Sequence, residues 1–311
     1  MKGIQDSLNL KKLLLCNLVV WLHLPSVLCT SHLRRERDDS GITQVKPKER
    51  DLRSGDLFDR FLMIVLENKD YSAVMQDSYF QYLTTQGTLF PNFDAVARPS
   101  FPNYVAMVAG NTFGIDSNDP IVIQERTIVD LLEKRSLTWK AYAESYPGNC
   151  YLGASKGKYV RHHVPFLSFA SIQDDPQRCK NVVPADEFIN DWNNKQLPNY
   201  SMYIPNNDNN GHDTSVEFAS NWLQSFLDPL LADSDRMAGT LIQVVFDEPE
   251  KNSYSSMKVF SLFLGPMVRK GASDGSNYNF YDVLRTVEGN FNIGTLGLED
   301  ASSTSIKGIW V

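Results

Sequence analysis

The chain has 311 residues, 42% of them hydrophobic and 22% charged, which is the composition of an ordinary globular protein able to bury one large core. Its 37 acidic and 30 basic residues leave a formal net charge of -7 and a pI near 5.3. The surface therefore lacks the basic excess that holds a nucleic-acid backbone, and no nucleic-acid partner is expected.

Residues 1–30 read as a cleaved signal peptide. Lys11 and Lys12 precede an apolar run from Leu13 to Cys29 that closes on the small residues Thr30 and Ser31. Asn17, His23 and Pro25 interrupt that run, and it is shorter than the ~20 apolar residues of a spanning helix. Secretion is expected, and a stable membrane span is not. Residues 31–56 are rich in Arg, Lys, Asp and Ser without apolar periodicity and read as a flexible leader, so the folded domain is expected over 57–311.

Phe61 to Leu66 is a continuous branched apolar run, as a strand buried on both faces requires, and it stops at Glu67-Asn68. Arg98-Pro99-Ser100-Phe101-Pro102-Asn103-Tyr104 then leads into an apolar stretch ending at Gly110. Pro102 suits the first turn of a helix, where its missing N–H has no partner to lose, and Gly110 suits a C-terminal cap. Ser100 falls at the helix N-terminus. It is either a plain N-cap or a nucleophile beside unpaired N–H groups that suit a phosphate.

Thr127-Ile128-Val129-Asp130 has the form of a capping box, and Thr138 to Ala143 that of a strand. Loss of the signal would remove Cys16 and Cys29 and leave Cys150 and Cys179, which an oxidising compartment would join. Asn199-Tyr200-Ser201 forms an N-glycosylation sequon. Ser215 to Leu231 reads as a helix whose Phe218, Trp222 and Phe226 should pack on the sheet. Two further buried strands follow: Thr240 to Phe246, ending at Asp247-Glu248, and Val259 to Leu264, ending at Gly265-Pro266.

Such alternation predicts βα units around a mostly parallel sheet. Ligands of open α/β sheets bind beyond the carboxyl ends of the strands, so Glu67-Asn68 and Asp247-Glu248 are expected at one edge. Their carboxylate and amide oxygens suit one divalent cation, of unknown identity, better than a thiolate-seeking metal.

These residues carry a resemblance. Ser-Phe-Pro-Asn before an apolar helix is similar to the nucleophile segment of nucleotide pyrophosphatases and other alkaline-phosphatase-superfamily enzymes. The form Pro99-Ser100-Phe101-Pro102-Asn103-Tyr104 resembles more closely the phosphoesterase family of fungal-type acid phosphatases and bacterial phospholipase C enzymes. That family's elements follow in order: Glu67-Asn68, His163-Val164-Pro165-Phe166, Pro205-Asn206, Gly211-His212-Asp213, Phe246-Asp247-Glu248, and Asp282 to Glu288. The resemblance implies an alkaline-phosphatase-like three-layer α/β/α fold.

It also implies hydrolysis of a phosphate ester by attack of Ser100, through a phosphoserine, beside a metal held by Glu67, Asn68, Asp247 and Glu248. His212 is the expected general acid with Asp213 orienting it, and Asn103 and His163 are the expected substrate contacts. His163 alternatively hydrogen-bonds the backbone. Asp208 and His212 also match the Asp-x-x-Gly-His pattern of two-zinc relatives. Met257 departs from the family, which commonly has Asn or His there, and it cannot donate the same hydrogen bond. An acid phosphatase acting on monoesters is the first expectation. The alternatives are a phosphodiesterase or phospholipase C, or a non-catalytic phosphate- or lipid-binding protein on the same fold.

Overall fold

The run that stops at Glu67 forms the strand Arg60–Leu66, and six of its seven residues are buried. It lies at the middle of an eight-stranded sheet in the computed structural model, which describes residues 55–250 and 256–311. The expected signal peptide and nearly all of the expected leader lie outside the described residues. Phe58 is already buried.

In spatial order the sheet runs Ala272–Ser273, Thr88–Leu89, Ser261–Leu264, Thr240–Phe246, Arg60–Leu66, Tyr200–Ile204, Trp139–Ala143, Val182–Pro184. The last five are mutually parallel. Arg60 to Leu66 pair in register with Thr240 to Phe246, which brings Glu67 and Asp247 to neighbouring strand ends. Both strands are apolar without alternation because helices cover both faces. Ser100–Ala109 packs on Phe280–Phe291, Ser78–Gln86 packs on Val216–Ala232, and the two pairs flank the sheet. Among the described residues no helix is long and apolar enough to cross a membrane.

Two expectations are corrected. Val259 to Leu264 is not one strand: Lys258–Val259 pairs with Phe93–Asp94 in a small second sheet, and Ser261–Leu264 enters the main sheet antiparallel to Thr240–Phe246. Gly265 thus lies at the edge opposite the acids. The helix Val216–Ala232, capped by Ser215 Oγ, buries Ala219, Ser220, Leu223, Leu227 and Leu230, whereas Phe218 is 47% exposed. Trp222 and Phe226 stack on each other at 5.3 Å and lean on Tyr203 from the side.

Other local readings hold. Thr127 and Asp130 form the reciprocal capping box, and Cys150 and Cys179 are joined, their Cα atoms 5.7 Å apart. The Asn199 side chain donates to Asp59 O and accepts from the Thr138 N–H, so in the folded protein the sequon amide is engaged.

Candidate active site

Ser100 is the first residue of its helix, and the cap is Pro99, which makes no side-chain bond. The plain capping role therefore falls away. Pro102 sits in the first turn and Gly110 closes the helix at φ 68°. Ser100 Oγ lies 3.0 Å from Glu67 Oε2 and 3.1 Å from Glu248 Oε1. It carries one proton for two acceptors, so a carboxylate stands ready for that proton on either side.

Glu67, Asp247 and Glu248 are all buried. The Asn68 N–H donates to Asp247 Oδ1 at 3.0 Å, and Asn68 Nδ2 to Glu67 Oε2 at 3.0 Å. Asn68 turns the chain there with a φ of 52°, a left-handed conformation that Asn tolerates. Arg98 Nη1 approaches Glu248 Oε2 at 3.5 Å and donates to Pro249 O at 2.9 Å. Burial holds Glu67 well above the usual carboxylate range, and the charge of Asp247 adds to it. Burial, then the charge of Glu248, raises Asp247 in the same way.

Asp247 Oδ2 and Asn68 Oδ1 are buried with no hydrogen-bond partner. Unpartnered hard oxygens among mutually repelling acids fit a divalent cation. Among the described residues no three His, Cys, Asp or Glu side chains are gathered closely enough to hold a metal ion by themselves. The fit therefore depends on a mixed donor set in which the Asn68 amide joins the acids.

The buried His163 ring stacks on Tyr104 at 5.1 Å. Its Nε2 comes within 3.2 Å of Glu67 Oε1 but without hydrogen-bond geometry. Burial, then the neighbouring His162, pushes His163 well below the ordinary imidazole value, so it is a neutral contact and not an ion pair. His162 is lowered to about 4 by burial and then by His212. The His212 ring lies 6.2 Å from that of His163, and its Nδ1 is 2.7 Å from Asp213 Oδ1. Hydrogen bonding to His212 lowers Asp213. One ring nitrogen of His212 is thus held while the other remains for proton transfer.

The structure gives Asn103 a different place from the one expected. Its Oδ1 accepts from the Val96 and Ala97 N–H groups, and its Nδ2 donates to Ala97 O and Pro99 O. It shapes the loop that delivers Ser100. Asn118, which sequence reasoning missed, accepts the Phe101 N–H at 3.0 Å beside Ser100. Glu144 was missed too, and it holds the His212 loop through Asn206 N at 3.0 Å and Asn209 Nδ2 at 2.6 Å. Neither has a local sequence signal, because their partners are distant in the chain. Asp208 receives Lys158 Nζ at 2.7 Å, and Met257 packs partly buried against the core.

Residues 69–294 match the phosphoesterase family. A probable acid phosphatase of Kluyveromyces lactis is 35% identical over 265 residues, covering 81% of this chain and 63% of that protein. An acid phosphatase of Aspergillus fumigatus is 35% identical over 265 residues, covering 81% and 59%. The chain thus spans less than two thirds of either fungal relative. A phosphatidylinositol-3-phosphatase of Mycobacterium tuberculosis is 29% identical over 259 residues, covering 81% of this chain and 83% of that protein.

Among solved structures, a protein of the alkaline phosphatase superfamily from Vibrio parahaemolyticus superposes with a TM-score of 0.55 at 13% identity, covering 80% of this chain and 70% of that one. A murine ectonucleotide pyrophosphatase/phosphodiesterase in complex with AMP superposes with a TM-score of 0.52 at 12% identity, covering 77% and 96%. Likeness at such identity shows the fold, an alkaline-phosphatase-like α/β architecture.

Proposed function

This chain belongs to the phosphoesterase family, and we propose that it is an exported phosphoric ester hydrolase of the acid phosphatase type, acting on monoesters through Ser100. The observation that carries this reading is the Ser100 hydroxyl placed 3.0 and 3.1 Å from two buried carboxylates at a helix N-terminus. The Cys150–Cys179 bond supports export.

Ser100 Oγ attacks phosphorus and gives its proton to a neighbouring carboxylate, while the bond from phosphorus to the leaving oxygen breaks and His212 protonates that oxygen. Water then attacks the phosphoserine and His212 takes a proton from it, while the bond from phosphorus to Ser100 Oγ breaks and the carboxyl returns its proton to Ser100, releasing inorganic phosphate. Asp213 holds His212 in place, and His163 would contact the phosphoryl oxygens. Glu67, Asn68, Asp247 and Glu248 would hold one divalent cation, which when bound supplies Lewis-acid stabilisation of charge on the phosphoryl group.

The test is turnover of p-nitrophenyl phosphate against bis(p-nitrophenyl) phosphate by the purified protein. Preference for the monoester is expected. Preference for the diester would move the assignment to a phosphodiesterase or phospholipase C. Phosphate binding without turnover of either would leave a binding protein.

A further inference from the structure

Glu67 divides its two oxygens between different partners. Oε2 faces Ser100 Oγ and Asn68 Nδ2, each at 3.0 Å, while Oε1 receives the Tyr104 hydroxyl at 2.6 Å. Ser100 and Tyr104 are four residues apart on one helix, so they share a face. The rigid helix therefore presents two hydroxyls to the two oxygens of one carboxylate. The phenol has one proton to donate, and Tyr104 is fully buried, with its ring stacked on His163 at 5.1 Å. The stacking limits the ring's freedom to swing the hydroxyl elsewhere.

We propose that Tyr104 is a positioning residue that fixes the rotation of the Glu67 carboxylate, so that Oε2 alone is presented to Ser100 and to a divalent cation. This rests on the metal-assisted hydrolase reading above. A carboxylate held on one oxygen keeps its other lone pairs aimed at a single point. Without the phenol, Oε1 is buried with no donor and the group is free to turn away from Asn68 and Asp247. His163 cannot substitute, because its nitrogen at 3.2 Å lacks hydrogen-bond geometry.

The experiment titrates metal-free wild type and Tyr104→Phe with Mn2+ by calorimetry and measures kcat and KM for p-nitrophenyl phosphate on the Mn2+-loaded proteins, with melting temperature as a control for folding. Loss of an outer hydrogen-bond partner of a metal ligand typically costs about 10–100-fold in metal affinity or activity. Tyr104→Phe is expected to bind Mn2+ at least about 10-fold more weakly, and to lose kcat with little change in KM. A merely packed tyrosine would lower the melting temperature and leave Mn2+ affinity untouched. Wild-type Mn2+ affinity and wild-type kcat in a folded Tyr104→Phe would overturn the proposal. A wild type that neither binds Mn2+ nor turns over the ester would instead overturn the reading on which it rests.

Discussion

The Asn68 N–H donates to Asp247 Oδ1 at 3.0 Å across 179 positions of sequence, tying together two parallel strand ends at the point where the buried acids gather. The other oxygen, Asp247 Oδ2, is buried without a hydrogen-bond partner. Asp247→Asn should therefore reduce bound metal, measured by elemental analysis, far more than Asp213→Asn, since Asp213 pairs with His212 and Lys158. Chelation should lower both activity and melting temperature, because a cation relieves the repulsion among the acids. Equal metal content in the two variants would reject the assigned donor set.

Ser100→Ala should lose turnover by about 1,000-fold or more, as removal of a covalent nucleophile does. Its stability should fall by about 1–3 kcal/mol, the cost of leaving a buried acceptor without its donor, with no cap lost, because Pro99 and not Ser100 caps the helix. Intact-mass detection of a phosphorylated wild type, absent in the variant, checks the covalent step. Near-normal turnover by Ser100→Ala would remove it from the nucleophile's role.

Glu288 has no exposure, and burial followed by the charge of Asp300 pushes its carboxyl from 4.5 to about 9, with Arg285 Nη1 4.0 Å away opposing the shift. The folded protein therefore holds a proton between these values that the unfolded chain has released. Stability falls as pH rises through that window, by up to about 1.4 kcal/mol per pH unit for one proton. Glu288→Gln should show a flatter stability profile in urea, gaining on the wild type from pH 5 upwards. Parallel profiles would refute a neutral Glu288.

The Cys150–Cys179 bridge closes a loop of 29 positions that contains His163. A loop of that size is worth roughly 3–4 kcal/mol in the chain-entropy account. Cys150→Ser with Cys179→Ser should lower the urea midpoint and raise KM for a phosphate ester by loosening the His163 segment. Unchanged stability on reduction would show that the core alone holds that loop.

Much of the site could be read from the sequence because strands buried on both faces must be continuously apolar, so their polar ends stand out. That logic located Glu67 and Asp247. It was silent on where Val259 to Leu264 changes sheets, since an apolar run looks the same whichever partner it meets. The helix stripe was right for Trp222 and Phe226, which pack against the core, and wrong for Phe218: these three have the same period as Ala219, Leu223 and Leu227, and spacing alone does not set the phase. Tyr104, Asn118 and Glu144 act through partners far along the chain, and only folding brings those partners near.

All ten residues of Ser100–Ala109 are buried, so the candidate nucleophile stands on a rod inside the core instead of on a surface loop. Such a site has no private hinge. Heat should then inactivate the protein and melt it in one event, with the two curves superimposed, and no active-site loosening should precede the collapse of the sheet.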